Sequence, residues 1–261
     1  MTHELALAGQ SSTGGQRALD SQRIAEFYDD NFVTDQVRDF EALVMRSGGM
    51  VGVVADVGGG CGYFSQAIAR QFGLSVRVLD SDPKSIEEAR EKGLEAMQFD
   101  ALAPSFAGDE GVVCFNLILH HLVGETLADT RTLQARALAN WRERNVRVFV
   151  NEYIYDSPVV RGASAWLIGV ITSSRILSAA AGQVGRFIPS LRANTLGVGV
   201  RFRDAADWRR LFHEAGYQVL GHVRGAEEPV SLPRRMMGIL SMRRDSFLLG
   251  PVAMAGDKGA Q

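Results

Sequence analysis

Residues 53–65 read VVADVGGGCGYFS: an apolar run broken by one aspartate, four glycines within five positions, then an aromatic pair that opens a helical pattern. Glycine in an ordered element costs roughly 1 kcal/mol relative to alanine, so this density needs a physical reason. A glycine turn between a strand and a helix lets a ligand reach the backbone at a helix N-terminus. Few folds carry such a turn, and the pattern on either side of it narrows them further.

That pattern alternates. Residues 21–45 have helical spacing, with Ile24, Phe27 and Tyr28, then Val37, Phe40, Leu43 and Val44. A buried strand over 51–56 leads into the glycines, and Phe64, Ala67, Ile68 and Phe72 share one face of a helix over 63–72. Strands are expected at 75–80, 96–99, 112–117 and 146–150. Between them lie a helix opened by Asp82-Pro83 and closed by Gly93, and another over 126–141. This βαβα order predicts an α/β chain with a mostly parallel sheet and helices on both faces. The end breaks the alternation: a helix over 207–215 is followed by strands at 217–223 and 245–249 with no helix between them. They predict an antiparallel hairpin closing the sheet's edge.

With 261 residues, 46% hydrophobic and 22% charged, the chain fits one domain over 21–250 between tails at 1–20 and 251–261. Within it, 21–48 reads as a helical cover and 153–204 as an insert longer than a connection needs. A net charge of −2 provides no bulk attraction to nucleic acid or an anionic membrane, and no apolar run is long enough to span one. Cys61 and Cys114 form no disulfide framework and no metal-ligand cluster. The N-terminus lacks the pattern of a secretory signal, which leaves the cytoplasm as the default.

The glycines exclude one ligand class. A dinucleotide fingerprint, G-x-G-x-x-G, requires glycine at 63 or 65, where Tyr63 and Ser65 stand. The sequence instead spaces Asp56, Gly58, Gly60 and Gly62 at every second position. A carboxylate beside the turn repels a pyrophosphate and suits a cationic ligand without phosphate. S-adenosylmethionine, with an ammonium and a sulfonium, meets that description.

The segment VVADVGGGCG resembles the first motif of class I S-adenosylmethionine-dependent methyltransferases, and three further landmarks follow in that family's order. Asp80 ends the second strand, where the resemblance implies a grip on both ribose hydroxyls. Phe99 and Asp100 follow the third strand, where it implies contacts to adenine and its amino group, although Asp100 alone also reads as a helix cap. CFNLILHHL, residues 114–122, resembles the fourth motif, which adds Asn116 to the cofactor side and sets His120 and His121 where the methyl emerges. The family implies a Rossmann-like, seven-stranded sheet, S-adenosylmethionine as cofactor and S-adenosylhomocysteine as product. It also implies transfer to a nucleophile aligned with the methyl in a water-excluded site.

Either histidine suits a base for a protonated acceptor; capping or core packing is the alternative. The run Asn116-Leu117-Ile118-Leu119 lacks the Pro-Pro-aromatic signature of exocyclic-amine and glutamine methylases. The small-molecule members, common in secondary metabolism, build a lid and pocket from the insert. That points to Tyr153, Trp166 and Arg175 for the substrate, with Tyr28 from the cover, which reads equally as core. A small, partly apolar acceptor and O-methylation follow, and a homodimer is left open. Two other readings remain: a cofactor-binding relative that transfers no methyl, and a nicotinamide oxidoreductase. The arginine-rich run at 234–244 reads as a solvated loop rather than a nucleic-acid patch.

Overall fold

The computed structural model describes residues 30–48, 52–144, 146–156, 203–230, 235 and 239–252. Helix α1 (Asp30–Phe40) passes into a π-turn over Glu41–Met45. Strand β1 (Val53–Val57) is buried on both faces, which is why it reads as a nearly continuous apolar run. Helix α2 (Tyr63–Phe72), strand β2 (Val76–Asp80), helix α3 (Pro83–Glu91) and strand β3 (Glu95–Gln98) follow. Asp82 caps α3 by accepting from the Lys84 and Ser85 amides, with Pro83 at the first helical position, as the sequence predicts.

Strand β4 (Glu110–Asn116) runs into a 3₁₀ turn over Leu119–His121. Helix α4 (Leu127–Ala139) opens on a Thr126–Asp129 capping box, and strand β5 (Arg147–Asp156) follows. Helix α5 (Ala205–Glu214), strand β6 (Tyr217–Val223), the two-residue β7 (Glu227–Glu228) and strand β8 (Ser241–Pro251) complete the described chain.

The sheet order is β3-β2-β1-β4-β5-β8-β6, with β7 paired to β8. Strands β1 to β5 are parallel to one another, and β8 is antiparallel to both β5 and β6. The Rossmann-like sheet is thus as expected, and its antiparallel pair closes the edge, with β8 between β5 and β6. Two details differ. Strands β5 and β8 are longer than their apolar runs, because nine register pairs from Val148–Leu249 to Asp156–Ser241 carry the ladder through polar residues. The histidines begin no long helix; they close a 3₁₀ turn six residues before α4.

One core lies between the sheet and α1 and α2, around Phe40, Phe64, Ile68, Phe149 and Leu248. The other lies under α4 and α5, around Trp141, Trp208, Phe212 and Phe247. Strand order reverses between β1 and β4, and the carboxyl ends of the strands at such a switch point flank the crevice where α/β sheets bind ligands.

The described end of the arginine-rich run, 239–244, is also not the solvated loop expected of it, while 234 and 236–238 lie outside the described residues. Arg243 and Arg244 lie inside β8; Arg243 pairs with Asp156 and Asp245, and Arg244 with Asp35 and Glu228.

Candidate active site

Strand β1 ends in the glycine turn. Gly58 and Gly62 both have left-handed φ, +70° and +77°. A Cβ on Gly58 falls 2.5 Å from the Ile118 side chain and one on Gly62 falls 2.5 Å from that of Leu94. At Gly59 the constraint is different: a Cβ there falls 2.6 Å from Asp56 Oδ2, so the glycine makes room for the carboxylate.

Asp56 is fully buried and has only neutral partners. It accepts from Ser65 Oγ at 2.8 Å and from Asn116 Nδ2 at 3.2 Å. Burial pushes its carboxyl up to about 6, and the charge of Asp80 adds to the effect, while these two hydrogen bonds oppose it. Asp80, at the end of β2, accepts from the Gly60 amide through Oδ2 and the Asp82 amide through Oδ1, both at 2.9 Å. Burial raises its carboxyl too, and the amides hold it back. Each oxygen keeps a second acceptor position, which a vicinal diol can use.

Beyond β3, Phe99 is buried and stacks on Trp141 with centroids 6.0 Å apart. Asp100 is exposed and accepts from the Leu102 amide at 2.8 Å, an Asx turn that leaves Oδ2 for a ligand. At the end of β4, Asn116 is buried with Oδ1 unpartnered. The next residue, Leu117, has φ +55°, the one left-handed non-glycine among the described residues. Its amide donates to Asn151 O at 2.8 Å, and the turn carries the chain into the histidines. Such strain in a branched residue is common at functional sites.

The two histidines are not equivalent. His120 is buried, with Nδ1 2.7 Å from Oε2 of Glu152 on β5. The other oxygen of Glu152 accepts from the Leu119 amide at 2.7 Å and the His120 amide at 3.3 Å. A carboxylate facing Nδ1 sets the tautomer with the proton there, which leaves Nε2 as the acceptor. His121 lies beside it, ring centroids 4.2 Å apart, with Nδ1 buried and unpartnered. Burial and then the neighbouring imidazole lower its basicity well below the ordinary range.

Tyr153 meets the His120 ring edge-to-face at 5.9 Å and lies 6.3 Å from the Tyr155 ring. Thus Asp56, Gly58, Gly60, Gly62, Asp80 and Asn116 gather at the switch point, with His120, His121 and Tyr153 at the adjoining ends of β4 and β5. Phe99 and Asp100 follow β3 on the far side of β2. Tyr28, Trp166 and Arg175 lie outside the described residues.

Two groups escaped sequence reasoning. Glu152 had a signal, since the pair Asn151-Glu152 interrupts an otherwise apolar strand, VFVNEYIYD. Gln36 had none: it is one polar residue on an amphipathic helix, and only the fold sets it against Asn151.

The residues present fit the cationic cofactor that the sequence suggests. They supply a buried carboxylate without a cation, an unpartnered amide oxygen on the residue that donates to it, and, in Asp80, a second carboxylate held by the Gly60 amide of the turn. A family profile described as a methyltransferase domain matches residues 54–140. No curated protein sequence matches.

Among solved structures, the MccD protein superposes with a TM-score of 0.56 at 11% identity, covering 83% of this chain and 96% of its own. The 1,6-didemethyltoxoflavin-N1-methyltransferase of Burkholderia thailandensis, solved with bound 1,6-didemethyltoxoflavin and S-adenosylhomocysteine, gives 0.55 at 14% identity, with coverage of 89% and 83%. An O-methyltransferase family protein from the same organism gives 0.52 at 15% identity over 90% of this chain, which spans 61% of that longer protein. Likeness at these identities is likeness of fold: the chain has the Rossmann-like fold of these methyltransferases, and the profile matches the third of it that holds the glycine turn and the fourth strand.

Proposed function

We propose that the protein is an S-adenosylmethionine-dependent methyltransferase that acts on oxygen in a small, partly apolar acceptor, with His120 as the base. The His120–Glu152 pair carries this reading. The cofactor supplies an activated methyl on a sulfonium, so this chain's residues need only bind, align, exclude water and take a proton.

Asp56, Asn116 and the glycine turn receive the cationic end, and Asp80 takes the ribose hydroxyls. Glu152 holds the Nδ1 proton of His120 and directs Nε2 toward the acceptor hydroxyl. It also stabilises the imidazolium that forms as the hydroxyl proton moves to Nε2. A neutral imidazole whose Nε2 is left as the acceptor is a suitable base for the proton of a phenol or enol. His121, kept neutral and weakly basic by burial, is a poor candidate for that proton. The aromatic edges of Tyr153 and Tyr155 and the apolar character of the 153–204 insert suit a flat, partly apolar acceptor.

The test is conversion of S-adenosylmethionine to S-adenosylhomocysteine with a panel of phenols, enols and amines. Turnover on hydroxyl acceptors, lost in His120→Ala and retained in His121→Ala, is the expected result. Turnover confined to amines, or untouched by His120→Ala, overturns oxygen transfer with this base. Cofactor binding without turnover on any acceptor favours the non-methylating alternative.

A further inference from the structure

On the face of the sheet covered by α1, four polar residues run across adjacent strands: Asp56 on β1, Asn116 on β4, Asn151 on β5 and Ser246 on β8. Gln36 and Asp39 of α1 press on them from above. The row is anchored by a carboxylate at each end, and this fixes every amide in it.

At one end, Asp39 can only accept, so Ser246 Oγ donates to it at 2.8 Å. Ser246 therefore accepts from Asn151 Nδ2 at 2.8 Å, which turns Asn151 Oδ1 toward Gln36. Gln36 must then present its NH₂ group, which it does at 3.3 Å, and its Oε1 is left over. At the other end, ionised Asp56 makes Asn116 present Nδ2, and Asn116 Oδ1 is left over. Both surplus oxygens are buried without a partner, on side chains 2% and 8% exposed. Asn116 and Asn151 are register partners on neighbouring strands, so Gln36, which reaches the row at Asn151, and Asn116 stand at adjacent positions of it. Asp39 already has a cation, Arg38, at 3.0 Å, whereas Asp56 has only neutral partners.

The row thus has an excess of acceptors and, at its Asp56 end, a deficit of positive charge. Unpartnered buried acceptors are rare and call for a donor. Two amide oxygens and a carboxylate match a group with three N–H donors, one positive charge and no acceptor, which is an ammonium.

We propose that Gln36 Oε1 and Asn116 Oδ1, with Asp56, form the receptor for the α-ammonium of the bound cofactor, which makes helix α1 part of the cofactor site. The inference rests on the reading of the cofactor as S-adenosylmethionine. It adds the reason why the cover helix docks through a buried polar row beside its apolar seam: the docking contacts orient the amide that faces the ligand.

The test is a binding cycle by titration calorimetry, with S-adenosylhomocysteine and its desamino analogue, in which hydrogen replaces the ammonium, against wild type and Gln36→Met. Wild type should prefer the ammonium-bearing ligand at least tenfold, and the preference should fall to threefold or less in the variant. Affinity for the desamino analogue should change by less than twofold, which also shows that the variant is folded. Gln36→Leu carries the same expectation should the methionine not be tolerated. An equal preference in wild type and variants overturns the proposal, and it is what a buried water bridging the two oxygens predicts. Equal loss of both ligands also overturns it, by making Gln36 a residue of the fold alone. If wild type binds neither ligand, the cofactor reading itself fails, and that outcome is distinct from the other two.

Discussion

Two buried carboxylates stand near the carboxyl ends of strands in this sheet, Asp56 on β1 and Glu152 on β5, and they are built in opposite ways. Glu152 is saturated: one oxygen takes two backbone amides and the other takes His120 Nδ1. Asp56 is left short, with a hydroxyl and an amide as partners and its carboxyl pushed up to about 6 by burial. A saturated carboxylate is a fixed point from which a neighbour is oriented. One without a cation is a site that a cation completes. On the proposed function the first belongs to the chemistry and the second to binding, and they should fail differently.

The largest effect is expected at Glu152. In Glu152→Gln the carbonyl oxygen can still accept the two amides, but the NH₂ group then faces His120 Nδ1. That reverses the tautomer and puts a proton on Nε2, where the acceptor's proton should go. Loss of the base contributes 10²–10⁴-fold in general acid–base catalysis. We expect kcat to fall by roughly 10²-fold or more while cofactor affinity by calorimetry stays within about twofold. A variant that lost cofactor affinity as much as turnover would erase the distinction between the two carboxylates.

Asp56 should show the reverse. In Asp56→Asn the side chain can still accept from Ser65 and can donate to the oxygen of a flipped Asn116, so the fold keeps two hydrogen bonds there and loses a buried charge. Cofactor affinity should fall about tenfold to a hundredfold, the scale of a charge-assisted hydrogen bond at 1.5–3 kcal/mol.

The unliganded protein should become more stable. A carboxyl held near 6 instead of 3.8 binds its proton more tightly folded than unfolded. Its contribution is therefore fully present below about 3.8 and is lost as pH rises through about 6. Ionising it at pH 7 costs on the order of 3 kcal/mol. Removing that cost should raise the Tm at pH 7 by several degrees, at roughly 2–4 °C per kcal/mol for a chain of this size. An Asp56→Asn protein that melts lower than wild type would show that the carboxylate is already compensated.

The same carboxylate makes binding depend on pH. A cation favours the ionised form, so occupancy lowers the Asp56 pKa and releases a proton when binding occurs below about 6. Affinity for S-adenosylhomocysteine should be flat above pH 7 and fall toward tenfold per pH unit below about 6. Asp56→Asn should abolish most of that slope. A slope unchanged in the variant would assign the proton to another group, with Asp80 next in line because burial raises it too.

The contrast between the carboxylates also explains what could be read from the sequence. Asp56 and the glycines lie within seven residues of each other, and their geometry is local: a strand, a turn and a helix whose backbone angles the residue types dictate. Asp80 and Asp82-Pro83 were legible for the same reason. Glu152 lies 32 residues from His120 in the chain, and only the parallel pairing of β4 with β5 brings them together. Gln36 is more remote, 115 residues from Asn151.

The length of the closing strands has the same origin. Composition marks 146–150 and 245–249 as strands, and the nine-pair ladder between β5 and β8 carries them further through Glu152, Arg243 and Arg244, residues whose charge masks a strand in the sequence. Buried ion pairs such as Arg243 with Asp245 are what make a charged strand compatible with the interior.

The smallest effect sharpens the comparison by separating the shape of the turn from its charge. Gly62 has φ +77° at the N-terminus of α2, and a Cβ there meets the Leu94 side chain at 2.5 Å. The contact is with a terminal methyl that can turn aside, so most of the penalty in Gly62→Ala is conformational, about 1–2 kcal/mol for a left-handed residue with a Cβ. Asp56 and its partners lie outside that contact. We therefore expect a Tm lowered by a few degrees, with cofactor affinity and its pH slope close to wild type. If Gly62→Ala instead lost affinity as strongly as Asp56→Asn, the path of the backbone and not the buried charge would be the main determinant of binding at this end of the sheet. The two carboxylates would then differ in what surrounds them without differing in what they do.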